Sequence, residues 1–129
     1  MKYLFDNCVS YKLAQMLKCL DVDSVASREV LPENAKDTEI FDYLRENKPI
    51  VFVSCDRRQT RVAEECNLLK EIKVTAVYFE PFWNRRLRLW EQASWLVKHW
   101  PTIENWAESS VSGSVGAVKQ RGRIEAIKL

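Results

Sequence analysis

Two apolar runs in this chain each end on an aspartate. Lys2-Tyr3-Leu4-Phe5 leads into Asp6, and Pro49-Ile50-Val51-Phe52-Val53-Ser54-Cys55 leads into Asp56. Two more acids, Asp37 and Glu39, open a helical pattern between them. Carboxylates gathered in one place repel, and some hold their protons. A hard divalent cation such as Mg²⁺ or Mn²⁺ removes that penalty, taking oxygens from one or two carboxylates and completing its shell with water. An ion held this way orients a phosphodiester, lowers the pKa of the attacking water and stabilises the leaving oxygen. The neighbours suit that chemistry. Asn7, Ser10 and Ser54 offer polar groups beside the acids, and Arg57, Arg58 and Arg61 follow Asp56. Arginine binds phosphate through planar, bidentate contacts. Simpler roles compete: Asp37 or Asp6 as a helix cap, Glu39 as a favourable charge in a first turn, Ser10 as a cap. Arg85, Arg86 and Arg88 form a second basic group whose simplest reading is a solvated helix face.

The elements that must position these groups follow from periodicity. Residues 2–5 read as a strand, followed by a helix from Ser10 to about Leu20 with Leu13, Met16, Leu17 and Leu20 as its buried stripe. Val22 to Ser27 reads as a second strand and residues 28–36 as a loop. Asp37 opens a helix with Ile40, Phe41 and Leu44 inward, and Pro49 blocks its continuation. The unbroken apolar run 50–55 is what a central strand covered on both faces shows. A short helix over about 59–69, a strand over 74–79, a long helix over about 83–99 and a shorter one from Pro101 to about Glu108 come next. Residues 109–122, rich in Ser, Gly and Val, read as a loop or flap, and 123–128 as an edge strand. Strand–helix alternation of this kind predicts an α/β domain with a mainly parallel sheet of four to five strands. In such a sheet, Asp6, Asp56 and the loop leading to Asp37 and Glu39 all lie at the C-terminal edge of the strands, where open α/β sheets place ligands.

Length and composition set the bounds. A chain of 129 residues, 47% hydrophobic and 29% charged, is expected to form one domain, residues 1–129, with a substantial core. No apolar run approaches the roughly 18–20 residues of a membrane span, and the first residues lack the features of a signal peptide. A cytoplasmic location without membrane association is the resulting expectation. The four cysteines contain no C-x-x-C pair and His99 is the single histidine, which argues against a Cys/His zinc site. Three glycines and no Gly-rich loop leave nucleotide cofactors without support. Charge is uneven: residues 1–56 hold 7 basic and 10 acidic side chains, net −3, and residues 57–129 hold 13 and 8, net +5. That division suits an acidic site flanked by a polyanion-binding surface.

The motifs Phe5-Asp6-Asn7-Cys8, Asp37-Thr38-Glu39-Ile40 and Val53-Ser54-Cys55-Asp56-Arg57-Arg58 resemble PIN-like domains, and look closest to the VapC-type toxin branch. Trp90-Glu91-Gln92-Ala93, Trp100-Pro101-Thr102-Ile103-Glu104 and Gly122-Arg123-Ile124 extend the likeness to the whole chain. The resemblance implies a three-layer α/β/α sandwich and Mg²⁺- or Mn²⁺-dependent cleavage of RNA by an endoribonuclease. As partners it implies an RNA substrate and a small antitoxin protein. By motif match, Asp6 and Asp56 carry over as metal-binding acids, together with Asp37 or Glu39, between which the sequence does not choose. Many family members carry a further acid two residues after the last strand aspartate, where this chain has Arg58. That departure raises a second reading, a non-catalytic module that binds RNA or protein. The five tryptophans are expected in the core and, in a homodimer, at its seam, in preference to a platform on which bases stack. A phosphoacceptor receiver-like domain also places an aspartate at a strand end, but needs a lysine ending a later strand, where Glu80-Pro81 stands.

Overall fold

The structure is a computed structural model describing residues 1–129. Strands β1 (Lys2–Phe5), β2 (Ser24–Ala26), β3 (Ile50–Ser54), β4 (Thr75–Phe79), β5 (Val115–Val118) and β6 (Ile124–Ile127) form one sheet in the order β2-β1-β3-β4-β5-β6. The first five strands in that order run parallel, and β6 pairs antiparallel with β5. The helices are α1 (Tyr11–Cys19), α2 (Ser27–Val30), α3 (Asp37–Glu46), α4 (Ala63–Ile72), α5 (Phe82–Arg86) and α6 (Leu89–Ser109), with a 3₁₀ turn over Arg57–Thr60.

Alternation along the strands divides the apolar side chains between two faces. Tyr3, Phe5, Val51, Val53, Val77 and Phe79 face one layer, where α1 contributes Leu13, Ala14 and Leu17, and α6 contributes Trp95, Leu96, Trp100 and Ile103. Leu4, Ile50, Phe52, Ala76 and Tyr78 face the other, packed by Ile40, Phe41 and Leu44 of α3 and by Leu69 and Ile72 of α4. This is the expected three-layer α/β/α arrangement. Every residue of β3 and β4 is buried, as their continuous apolar runs require. Aromatic rings fill the wider layer: Phe79 stacks on Trp83 with ring centres 4.1 Å apart, and Trp95 meets both edge-on.

Several expectations need correction. The segment expected to be a loop over 28–36 begins inside a helical turn, α2, where Oε2 of Glu29 accepts from the Ala26 amide at 2.7 Å and so closes its open N-terminus. The segment 109–122 holds a fully buried strand, β5, so the sheet has six strands rather than four or five. The long helix does not stop before Pro101; α6 runs through it to Ser109. Pro101 removes the amide that would bond the Val97 carbonyl, and both residues lie on the exposed face, where the loss of one helical bond is cheapest because solvent is within reach. The helix expected over 59–69 is displaced to 63–72, because Asp56 caps the 3₁₀ turn before it.

The order β2-β1-β3 reverses direction at β1. The strand ends of β1 and β3 therefore form the crevice where doubly wound sheets bind ligands.

Candidate functional site

Asp6 leaves β1 at that crevice and is 5% exposed. Oδ1 accepts from the Asn7 amide at 2.8 Å. Oδ2 accepts from the Ser54 hydroxyl at 2.7 Å and from Nε2 of Gln59 at 3.2 Å. The same Nε2 donates to Oδ1 of Asp37 at 3.2 Å. One amide group thus joins the acid after β1 to the acid that begins α3. Its orientation is fixed from behind: the Tyr78 hydroxyl donates to Gln59 Oε1 at 3.0 Å, which leaves only the NH₂ side to face the carboxylates. Asp56 enters the same network, since its amide donates to the Ser54 hydroxyl at 3.1 Å.

The electrostatics separate the three acids. Burial raises the pKa of Asp6 above 3.8; hydrogen bonds from Ser54, Asn7 and Gln59 oppose this, and the charge of Asp56 adds to it. Asp37 is raised by burial and then by the charge of Asp6, against the bond from Gln59. Asp56 is lowered, chiefly by hydrogen bonding from Arg58. Nε and one terminal nitrogen of Arg58 hold its two carboxylate oxygens, both at 2.9 Å. Burial and the field of all three acids push the Tyr78 phenol far up, so it stays a donor.

Asp37 and Glu39 lie in different settings. Glu39 is exposed, and its Oε1 accepts from the Lys36 amide at 3.2 Å, closing the N-terminus of α3; it stays outside the acid set. Among the supporting groups, Ser54 sits at the centre of the network, while Ser10 caps α1 by accepting from the Lys12 amide at 3.3 Å. Asn7 is exposed beside Asp6, with its amide reaching the Glu33 carbonyl at 3.4 Å. The arginines also separate. Arg57 donates to Glu80 Oε1 at 2.8 Å, an ion pair with both side chains largely covered. Arg58 occupies Asp56. Arg61 is exposed and makes no ion pair.

Two participants escaped the sequence reading. Gln59 and Tyr78 are buried polar groups of ordinary spacing, and only the 3₁₀ turn after Asp56 turns Gln59 inward. Arg28, in the segment read as a loop, lies over the Tyr11 ring and lines a small cleft of about 160 Å³ against Asp6. Cys8 and Cys55 also meet here: the Cys55 amide points at the Cys8 sulfur at 3.2 Å, and the Cys8 thiol lies 3.4 Å from the Ser54 hydroxyl. Both thiols are free.

As the side chains stand, no three His, Cys, Asp or Glu residues close on one point to hold a metal ion. A magnesium-type ion needs less than that, since one or two carboxylates with water and a substrate phosphate suffice. Asp6 and Asp37 meet that need. They are hard oxygen donors that face one shared point, and each is raised in part by the other acids nearby. The Gln59 amide now serves that point as a neutral donor.

A family model described as a PIN-like domain matches residues 1–81, a span that includes β1 to β4 and every acid of the network. No curated protein and no solved structure matches the chain. The matched span covers well over half of the 129 residues, and the chain therefore belongs to the PIN-like domain family.

Proposed function

We propose that the chain is a metal-dependent endoribonuclease, the toxin of a toxin–antitoxin pair. The observation that carries this reading is the Gln59 amide that joins the Asp6 and Asp37 carboxylates at the switch point of the sheet, with the backbone amide of Asp56 tied to the same cluster through Ser54. A bound Mg²⁺ or Mn²⁺ supplies charge to orient the RNA phosphodiester and to acidify the attacking water. Asp6 and Asp37 would hold that ion, with Gln59 giving up its place between them. Ser54 keeps the Asp6 carboxylate aimed at the shared point through its 2.7 Å bond. Arg58, whose side chain is 80% exposed, exchanges Asp56 for an incoming phosphate and leaves that carboxylate free to join the set. Arg61 contacts the RNA backbone further out.

The test is cleavage of RNA in Mn²⁺ by the wild type and by Asp6→Asn, Asp37→Asn and Asp56→Asn. The expected result is loss of cleavage in the first two and a large reduction in the third. Equal cleavage by all four proteins would mean a contaminating nuclease and would end the site assignment. Induced expression tests the toxin role: growth arrest by the wild type and normal growth with Asp6→Asn are expected.

One observation favours a second reading, a non-catalytic binding module. Arg58 and Gln59 already satisfy the acids with protein donors. Calorimetry separates the two, since absence of Mn²⁺ binding with RNA binding intact would select the module.

A further inference from the structure

The exposed hydrophobic residues include one large aromatic in a basic setting. Trp90, near the start of α6, is 67% exposed, whereas the other four tryptophans are buried or half-buried. It borders an open groove of about 770 Å³ whose basic members are Arg86 at the end of α5, Lys98 on α6 and Arg121 in the β5–β6 turn. None of these three cations has an acidic partner among the ion pairs of the molecule. The groove's one acid, Glu91, is engaged with the Arg88 amide at 3.0 Å.

The groove has a fixed wall. Trp95 donates to the Gln120 carbonyl at 2.7 Å and packs against His99 in a tilted pair, with ring centres 4.4 Å apart. Gly122, at φ +93°, lets the turn close onto His99; a Cβ there would lie 2.4 Å from its Nδ1. The groove also shares an edge with the acids. Because β5 runs parallel to β4, its following turn lies at the C-terminal edge, as does α5 after β4. Asn84 of α5 bonds the Cys55 sulfur at 3.4 Å, one residue before Asp56, and Arg86 is two residues further along.

We infer that this groove is a second contact surface for single-stranded RNA. A base stacks on Trp90, and Arg86, Lys98 and Arg121 take the backbone phosphates of the strand that runs on from the acid edge. Stacking on an exposed indole accepts any base, and unpaired cations around it supply the electrostatic track that single strands require. The inference rests on the reading of the acid edge as a site that acts on RNA.

The test uses a fluorescein-labelled, unstructured oligouridylate, followed by anisotropy in EDTA so that binding is read without cleavage. Trp90→Ala is expected to weaken binding by roughly fivefold to a hundredfold. The double variant Arg86→Ala/Arg121→Ala is expected to lower the salt slope by about 0.7 for each phosphate that no longer meets a cation. Lys18→Ala, which removes a cation at the C-terminal end of α1, is expected to bind as the wild type does. Wild-type binding by both groove variants would overturn the inference. So would a Trp90→Ala variant that keeps its RNA affinity and changes from dimer to monomer in sedimentation, which would make the surface a seam between copies. Groove-dependent binding in a protein that never cleaves RNA in Mn²⁺ would sustain the inference and end the nuclease reading. Cleavage that depends on Asp6 but not on the groove would do the reverse.

Discussion

Gln59 is the residue on which the site turns. A carboxylate-to-carboxylate approach is repulsive, and one neutral amide with its NH₂ facing both Asp6 and Asp37 makes it tolerable. Gln59→Leu removes that donor and leaves the Tyr78 hydroxyl buried without a partner. The expected cost is about 1–3 kcal/mol in denaturant unfolding, together with a further upward shift of both aspartates in an NMR side-chain titration. The existing shifts fix the sign of the pH dependence. Asp6 is raised in the folded state, so the folded chain binds more protons than the unfolded one once pH exceeds 3.8, and stability falls as pH climbs through that window. Asp56 is lowered and acts oppositely: its contribution is present above 3.8 and is lost as pH falls below it. Thermal melts of Asp6→Asn should therefore lose part of the decline on the alkaline side of 3.8, and melts of Asp56→Asn part of the decline on the acid side. Asp6 and Asp56 were legible as a pair because each ends an apolar strand. Gln59 was not, because nothing in Arg57-Arg58-Gln59-Thr60 marks which side chain a 3₁₀ turn will bury. Asp37 and Glu39 were indistinguishable for a similar reason: two residues apart at a helix start, one faces the crevice and the other closes the helix end.

Elements are tied together at the same edge by Glu80. It accepts from Arg57 of the 3₁₀ turn at 2.8 Å and from Lys119 after β5 at 3.1 Å. Burial pushes Glu80 up, but the Lys119 bond and the two positive charges outweigh it and hold its pKa below 4.5. Arg57→Ala leaves Glu80 with Lys119 alone and unpins the turn that carries Gln59. A loss of about 1–2 kcal/mol is expected in chemical unfolding, with weakened protection of the Gln59 amide in hydrogen exchange. The strands that hold the acids were readable from their unbroken apolar runs, whereas β5 was hidden by its composition. Val115-Gly116-Ala117-Val118 sits within a Ser- and Gly-rich stretch, and its glycine is there for packing: a Cβ on Gly116 would lie 2.6 Å from Ile124 and 2.9 Å from the Trp106 ring. Only the tertiary neighbour explains the residue. The turn after β5 carries the other constrained glycine. Gly122→Ala places a side chain at positive φ against His99, so a loss of about 1–3 kcal/mol is expected. The cost should appear in the same variant as weaker binding of single-stranded RNA, because the groove wall moves with the turn.

At the scale of the whole molecule, the uneven charge along the sequence becomes a spatial arrangement. The acids of the first half converge at the β1–β3 crevice, while the second half supplies the cations of α5, α6 and the β5–β6 turn along the same edge. A fold that buries Asp6 to 5% exposure among other acids holds an electrostatic cost that a cation would relieve. On the proposed metal-dependent reading, folding and divalent-ion binding are linked, because an ion that binds the folded chain alone stabilises it by mass action. At ten times its dissociation constant, Mn²⁺ should add about 1.4 kcal/mol, or about 4–6 °C in the melting temperature of a chain this size. The gain should vanish in Asp6→Asn. It should also shrink as pH falls toward the raised pKa values of Asp6 and Asp37, where protons compete with the ion for the same oxygens. Differential scanning fluorimetry with Mn²⁺, Mg²⁺ and EDTA reads all three effects without any nuclease assay. A melting temperature that ignores divalent ions at neutral pH would mean that Gln59 and Arg58 keep the acids for themselves, and that the crevice binds rather than cuts.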